Sequence, residues 1–243
     1  MATTLAMYFV RHDRGAREPI KALWMAFGLG AIGALMAGLL EFWLISAHSV
    51  TPTTTRSSLF ATFLLVGVIE ECCKFLPAAL VLYKKPYFNE YSDGVIYFAL
   101  AGMGFGLPEN VLYTLHFGAK AGILRILLTP LLHASITAIA GYYLVSLKIK
   151  GKSPFLVVLP LILLIILHAF YDFGLASGIA GFALLSILIT LGLSISLFMV
   201  YVYATEKDQT LGLSAVGHNS FCRACGFPNP KHYLYCVHCG KNA

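Results

Sequence analysis

The sequence predicts an all-α fold: a polytopic transmembrane helical bundle of about six spans, followed by a small cysteine-rich tail. Three observations carry this reading. The 243 residues are 58% hydrophobic and only 12% charged, with mean hydropathy +0.79, whereas soluble domains carry about 25% charged residues. The apolar residues fall into six runs, at 20–47, 58–83, 91–117, 121–147, 155–177 and 180–205, each meeting the roughly 20 residues needed to cross a bilayer. Beyond residue 206 the composition turns polar, and four of the six cysteines there form two CxxC pairs. The formal net charge of +6 sits mostly in loops and ends. It forms no basic stripe, so no nucleic-acid partner is expected and the lipid bilayer is the surrounding partner. Residues 1–19 hold Arg11, Arg14 and Arg17 without a small-residue cleavage pattern behind an apolar core, so no removable signal peptide is expected.

The first run contains Glu41 beside Trp43 near its far end, which reads as an interfacial residue in an aromatic belt. The second is interrupted by Glu70-Glu71-Cys72-Cys73-Lys74. Each ionised group at mid-bilayer costs about 2.5–3.5 kcal/mol on insertion scales, so these three charges need partners. Lys74 can reach Glu70 at i,i+4 or Glu71 at i,i+3. One ammonium cannot neutralise two carboxylates, which leaves one for a proton, a metal or a water. The third run reads Gly102-Met103-Gly104-Phe105-Gly106-Leu107-Pro108-Glu109-Asn110. Its glycines either bend the helix or form a GxxxG packing face through Gly102 and Gly106; packing does not explain Glu109. The fourth run holds His133 behind Thr129 and Pro130, with Arg125 nearer the boundary; Arg125 and His116 read as interfacial. The fifth carries His168 and Asp172, an i,i+4 pair on one face. The sixth has no ionisable residue in its apolar core and reads as scaffold.

Loop charges set the orientation. Arg11, Arg14, Arg17 and Lys21 precede the first run, Lys84 and Lys85 follow the second, Lys148, Lys150 and Lys152 the fourth, and Lys207 the sixth. The opposite side has Arg56 and Lys120, so both termini are expected in the cytoplasm. Followed along alternating directions, Glu70, Glu71, Glu109, His133, His168 and Asp172 come to comparable depths, from the midplane outwards. Intramembrane ionisable groups are rare and functional, so a common polar site is expected. Carboxylates and imidazoles together support glutamate-driven hydrolysis of a bound substrate or metal-assisted hydrolysis. They equally support proton- or ion-coupled transport. Spacing does not separate these chemistries from one another, and there is no HExxH helix.

The motifs Glu70-Glu71-Cys72-Cys73-Lys74 (EExxK), Phe105-Gly106-Leu107-Pro108-Glu109-Asn110 (FxxxEN), His133 and His168-Ala169-Phe170-Tyr171-Asp172 (HxxxD), on four successive spans, resemble the PrsW family of intramembrane proteases. The family is distantly similar to the CAAX-prenyl-protease superfamily. The resemblance implies an integral protein of a prokaryotic plasma membrane that hydrolyses a membrane-anchored, anti-sigma-factor-like substrate near the extracytoplasmic face. It implies Glu70 or Glu71 as general base, with Glu109, His133, His168 and Asp172 catalytic and Lys74 and Asn110 supporting. Glu109 stands where the CAAX enzymes carry histidine. A catalytic divalent metal, Zn²⁺ by preference, would take its ligands from His133, His168 and Glu109.

The tail contains Cys222-Arg223-Ala224-Cys225-Gly226 and Cys236-Val237-His238-Cys239-Gly240, a zinc-ribbon signature. Four thiolates suit a tetrahedral structural Zn²⁺, and a segment this short draws its folding energy from the metal. The domain reading is a cytoplasmic segment at 1–19, a transmembrane protease domain at 20–205, a linker at 206–220 and the ribbon at 221–243. The ribbon is a candidate docking module for a cytoplasmic partner.

Overall fold

The computed structural model describes residues 18–48, 56–151 and 153–213, together with 8, 225, 236 and 238–241. These residues form six long helices with no strand among them: α1 (Ile20–His48), α2 (Arg56–Leu82), α3 (Tyr91–Phe117), α4 (Ala119–Lys150), α5 (Phe155–Ala176) and α6 (Ala180–Thr210). All except α2 are long and apolar enough to cross a membrane by length and composition. The exception is the helix with three charges at its centre, and those charges are turned inward: Glu70, Glu71 and Lys74 are all buried. Leu35, Leu39, Phe42, Leu159, Leu163, Leu188 and Ile195 stand exposed around the outside. That inversion of polarity is what a lipid solvent requires of a chain with a polar interior.

The central helix is α3, which packs against α4, α1, α6 and α2, while α5 closes the ring against α2, α6 and α4. Its contacts follow from its small residues. Gly102 lies against the carbonyl of His133 on α4, and Gly104 against the carbonyl of Phe27 on α1, so a methyl group at either position would overlap backbone. The helix runs unbroken from Tyr91 to Phe117 through Pro108. Close packing, rather than an opened segment, therefore accounts for the alternating glycines. Neighbouring aromatic rings complete the core, with Phe88, Tyr97 and Phe98 fully buried.

One face of the bundle gathers the start of α1, the end of α2, the start of α3 and the ends of α4 and α6. Asp208, in the last turn of α6, accepts hydrogen bonds from the backbone N–H groups of Tyr91 (2.7 Å) and Ser92 (2.8 Å) and from the Ser92 hydroxyl (2.9 Å). It thereby satisfies donors that a helix start leaves open. Lys148 Nζ donates to the carbonyl of Lys85 at 2.8 Å, and Tyr97 donates to Glu18.

The glycine contacts discriminate sharply between positions. Gly30 of α1 abuts the Ala101 carbonyl, whereas nothing lies within 4 Å of a methyl group built on Gly28. Replacing Gly30 by Ala should lower stability by about 1–3 kcal/mol, and Gly28→Ala should be nearly silent, both measured by thermal unfolding of the detergent-purified protein.

Candidate active site

Counted from the face that gathers these ends, Glu70, His168, His133 and Glu109 lie about 12, 13, 17 and 18 residues along their helices, roughly 18–27 Å deep at 1.5 Å per residue. At that level they meet. Lys74 is fully buried and bridges two helices: its Nζ donates to Glu71 Oε1 at 2.6 Å and lies 2.8 Å from His133 Nδ1 on α4. The same ammonium sits 4.3 Å from the centre of the Phe105 ring. His133 Nε2 is 2.6 Å from Glu109 Oε2 on α3. Arg125 donates to the other oxygen of Glu109 and reaches Asp172 Oδ1 at 3.7 Å.

His168 on α5 faces the two glutamates of α2. Its Nδ1 lies 2.8 Å from Glu71 Oε1, a close contact but off the direction of a ring N–H bond. Its Nε2 lies 3.5 Å from Glu70 Oε2 and 3.3 Å from Asp172 Oδ2. The two imidazoles stand edge to face with centres 5.2 Å apart. The adjacent glutamates are thereby given different surroundings. Glu71 is held between Lys74 and His168 through its Oε1, whereas Glu70 has no lysine partner; the Oε2 of each is buried without a hydrogen bond. The buried Asn110 likewise leaves its Oδ1 without one.

Glu70, Glu109, Arg125 and Asp172 line a cavity of about 450 Å³ between α1, α2, α3, α4 and α5, within the range of about 300–1,000 Å³ common for ligand sites. Three residues read from the sequence as interfacial line this cavity, Arg125 and Glu41 among them and His116 the third. Arg125 is buried and paired with two carboxylates; Glu41 looks into the cavity from α1. Both carry a signal that position near a helix end obscured. Arg125 continues a buried polar stripe at every fourth residue, through Thr129, His133 and Thr137. Glu41 continues the small-residue stripe Gly30, Gly33, Ala37 that faces the bundle.

Two groups among the described residues could hold a metal ion, their ligand atoms lying within 4.8 Å of one another: Glu70 with His133 and His168, and Cys225 with Cys236 and Cys239. Glu109, expected among the ligands, is held by His133 and Arg125, and the carboxylate that lies with both imidazoles in the first group is Glu70. In the tail, Cys225 Sγ and Cys236 Sγ are 3.6 Å apart, and the N–H of His238 donates to Cys236 Sγ at 3.4 Å. Gly240 supplies the positive φ of 70° that turns the chain behind this pair. Cys222 lies outside the described residues.

A family model described as the PrsW family of intramembrane metalloproteases matches residues 18–205, which includes every residue of the membrane cluster. The chain belongs to the PrsW family. Among its relatives, Protease PrsW of Shouchella clausii (strain KSM-K16) is 37% identical over 178 residues, covering 72% of this chain and 80% of the relative. Protease PrsW of Bacillus subtilis (strain 168) is 29% identical over 171 residues, covering 70% and 76%. The counterpart from Clostridioides difficile (strain 630) is 28% identical over 177 residues, covering 70% and 74%. No solved structure matches. This PrsW family member is thus an integral membrane peptidase that acts on a membrane-anchored substrate within the bilayer. The family match stops before the cysteine tail.

Breaking a buried ion pair from one side strands its partner. Lys74→Met should therefore destabilise the protein by roughly 3–5 kcal/mol, and adding Glu71→Gln should recover part of that loss. Chemical unfolding of the two single variants and the double variant measures the coupling.

Proposed function

We propose that this protein hydrolyses a peptide bond of a membrane-anchored, anti-sigma-factor-like substrate near the extracytoplasmic face, with Glu70 as the general base. The observation that carries the assignment is the unequal treatment of the two glutamates. Glu71 is committed to Lys74 and His168 through one oxygen, while Glu70 has no lysine partner, faces His168 from 3.5 Å and lines the cavity. An acceptor in that setting takes a proton from a water entering the cavity. The water oxygen attacks the scissile carbonyl carbon, the C–N bond breaks, and the proton passes from Glu70 to the departing nitrogen. The negative charge that develops on the carbonyl oxygen would be held by His168 and by Arg125, whose Nε is also buried without a partner. Lys74, Glu71 and Asp172 orient the imidazoles, and Glu109 holds both His133 and Arg125. Supporting roles of this kind keep a site in its productive geometry. Asn110 belongs to the same support, next to Glu109 on α3.

The residues present fit a divalent ion such as Zn²⁺: two imidazoles and one carboxylate with an orphaned oxygen, all buried. Glu70, His133 and His168 would hold it; Glu70 would then serve as a ligand rather than as the free base, and the ion would polarise the carbonyl and make water more acidic. Glu71 beside His168 Nδ1 then serves as the outer carboxylate that fixes the ring. In the tail, Cys222, Cys225, Cys236 and Cys239 would hold a separate structural Zn²⁺. The positive-inside asymmetry puts that ribbon and both termini in the cytoplasm, where it could dock a cytoplasmic partner.

Glu70→Gln keeps the shape of the side chain and removes the base. Cleavage of a single-span reporter should fall by about 10²–10⁴-fold while the protein still accumulates in the membrane; normal processing would overturn the assignment. Metal analysis of a full-length variant with serine at Cys222, Cys225, Cys236 and Cys239 should find one ion per chain, lost on adding His168→Ala. A metal-free but active variant would overturn the metal reading.

A further inference from the structure

We propose that Glu41 forms a subsite for a basic side chain of the substrate, on the α1 wall of the cavity beside the scissile bond. The inference rests on the peptidase reading above and specifies which substrates it favours. Four carboxylates line the cavity: Glu41, Glu70, Glu109 and Asp172. Arg125 faces two of them, Glu109 and Asp172, and His168 faces Glu70 and Asp172. Lys74, the other buried ammonium nearby, is taken by Glu71.

Glu41 is different. Its Oε1 is sealed from solvent and has no hydrogen-bond partner, yet it lies near enough to Glu109, Asp172 and His168 to feel their charge. A carboxylate in an apolar wall without a cation is costly, and a cation arriving with the substrate removes that cost. Glu70, more than nine-tenths buried, likewise has its Oε2 without a hydrogen bond beside the same space, 3.5 Å from His168 Nε2, a second sign that the cavity is built around a ligand. Space is provided on the Glu41 side, where α1 contributes only Ala34, Ala37 and Gly38 to the wall. Glu41 lies about 21 residues along α1, roughly 32 Å from its start at 1.5 Å per residue. That is beyond Glu109, toward the face opposite the one that gathers the start of α1. The subsite therefore suits lysine or arginine close to the cleaved bond and rejects an acidic residue there, because like charges brought together cost several kcal/mol.

The test uses the full-length protein and a single-span reporter carrying Lys, Gln or Glu at each position flanking the bond. At one such position the wild-type protein should cleave the Lys reporter at least about tenfold faster than the Glu reporter, a ratio worth about 1.4 kcal/mol. Glu41→Asp, which keeps the charge, should retain the preference; Glu41→Gln should erase it, and Glu41→Lys should invert it, with the change read in KM. An unaltered preference in Glu41→Gln and Glu41→Lys overturns the subsite. Photo-crosslinking of the same reporters to the Glu70→Gln protein reads binding without turnover. Capture in the order Lys, Gln, Glu that disappears on adding Glu41→Gln supports the subsite even if no chain cleaves the reporter, and only the peptidase reading would then fail. Equal capture of the Lys and Glu reporters overturns the subsite even where cleavage proceeds.

Discussion

The whole membrane site depends on one ammonium group buried away from bulk solvent. Lys74 is enclosed by Glu71 from its own helix, His133 from α4 and the face of the Phe105 ring from α3. Through Glu71 it also touches α5, because the same carboxylate oxygen meets His168. Four helices thus converge on one positive charge. In a low-dielectric interior such a charge is tolerable only when its partners are in place, so the helices that supply the partners are held in register with one another. The fixed pair in turn gives different surroundings to neighbouring glutamates that a sequence cannot tell apart.

Convergence of this kind needs backbones that come close. Gly102 against His133 and Gly104 against Phe27 bring α4 and α1 onto opposite sides of α3. Without a hydrophobic drive between helices in lipid, such contacts and the polar links across them carry association. The carbonyl that meets Gly102 belongs to His133 itself. Close packing and placement of the imidazole are therefore the same contact, and the motif glycines and the motif histidine are one structural unit rather than two.

The fold was legible because lipid and length impose a strong pattern: six apolar runs gave six helices. The inward direction of Glu70, Glu71, Glu109, His133, His168 and Asp172 was legible for the same reason, since charges deep in apolar runs have nowhere else to go. Residues near helix ends were not. Arg125 and Glu41 lie where a charge can reach the interface, and the aromatic Trp43 next to Glu41 reinforced that reading. Only the faces they share with Thr129 and His133, or with Gly33 and Ala37, betray the inward turn. Which carboxylate lies with both imidazoles also could not be read from spacing. Whether Glu109 or Glu70 stands with the histidines depends on where Arg125 goes, and Arg125 belongs to another helix.

The cap that Asp208 provides for α3 has a bearing on how the chain is made. The donors at Tyr91 and Ser92 are emitted from the ribosome more than a hundred residues before their acceptor. Until the last span has been threaded into the bilayer, the start of α3 lacks this acceptor, although α1 and α4 can already pack against its glycines.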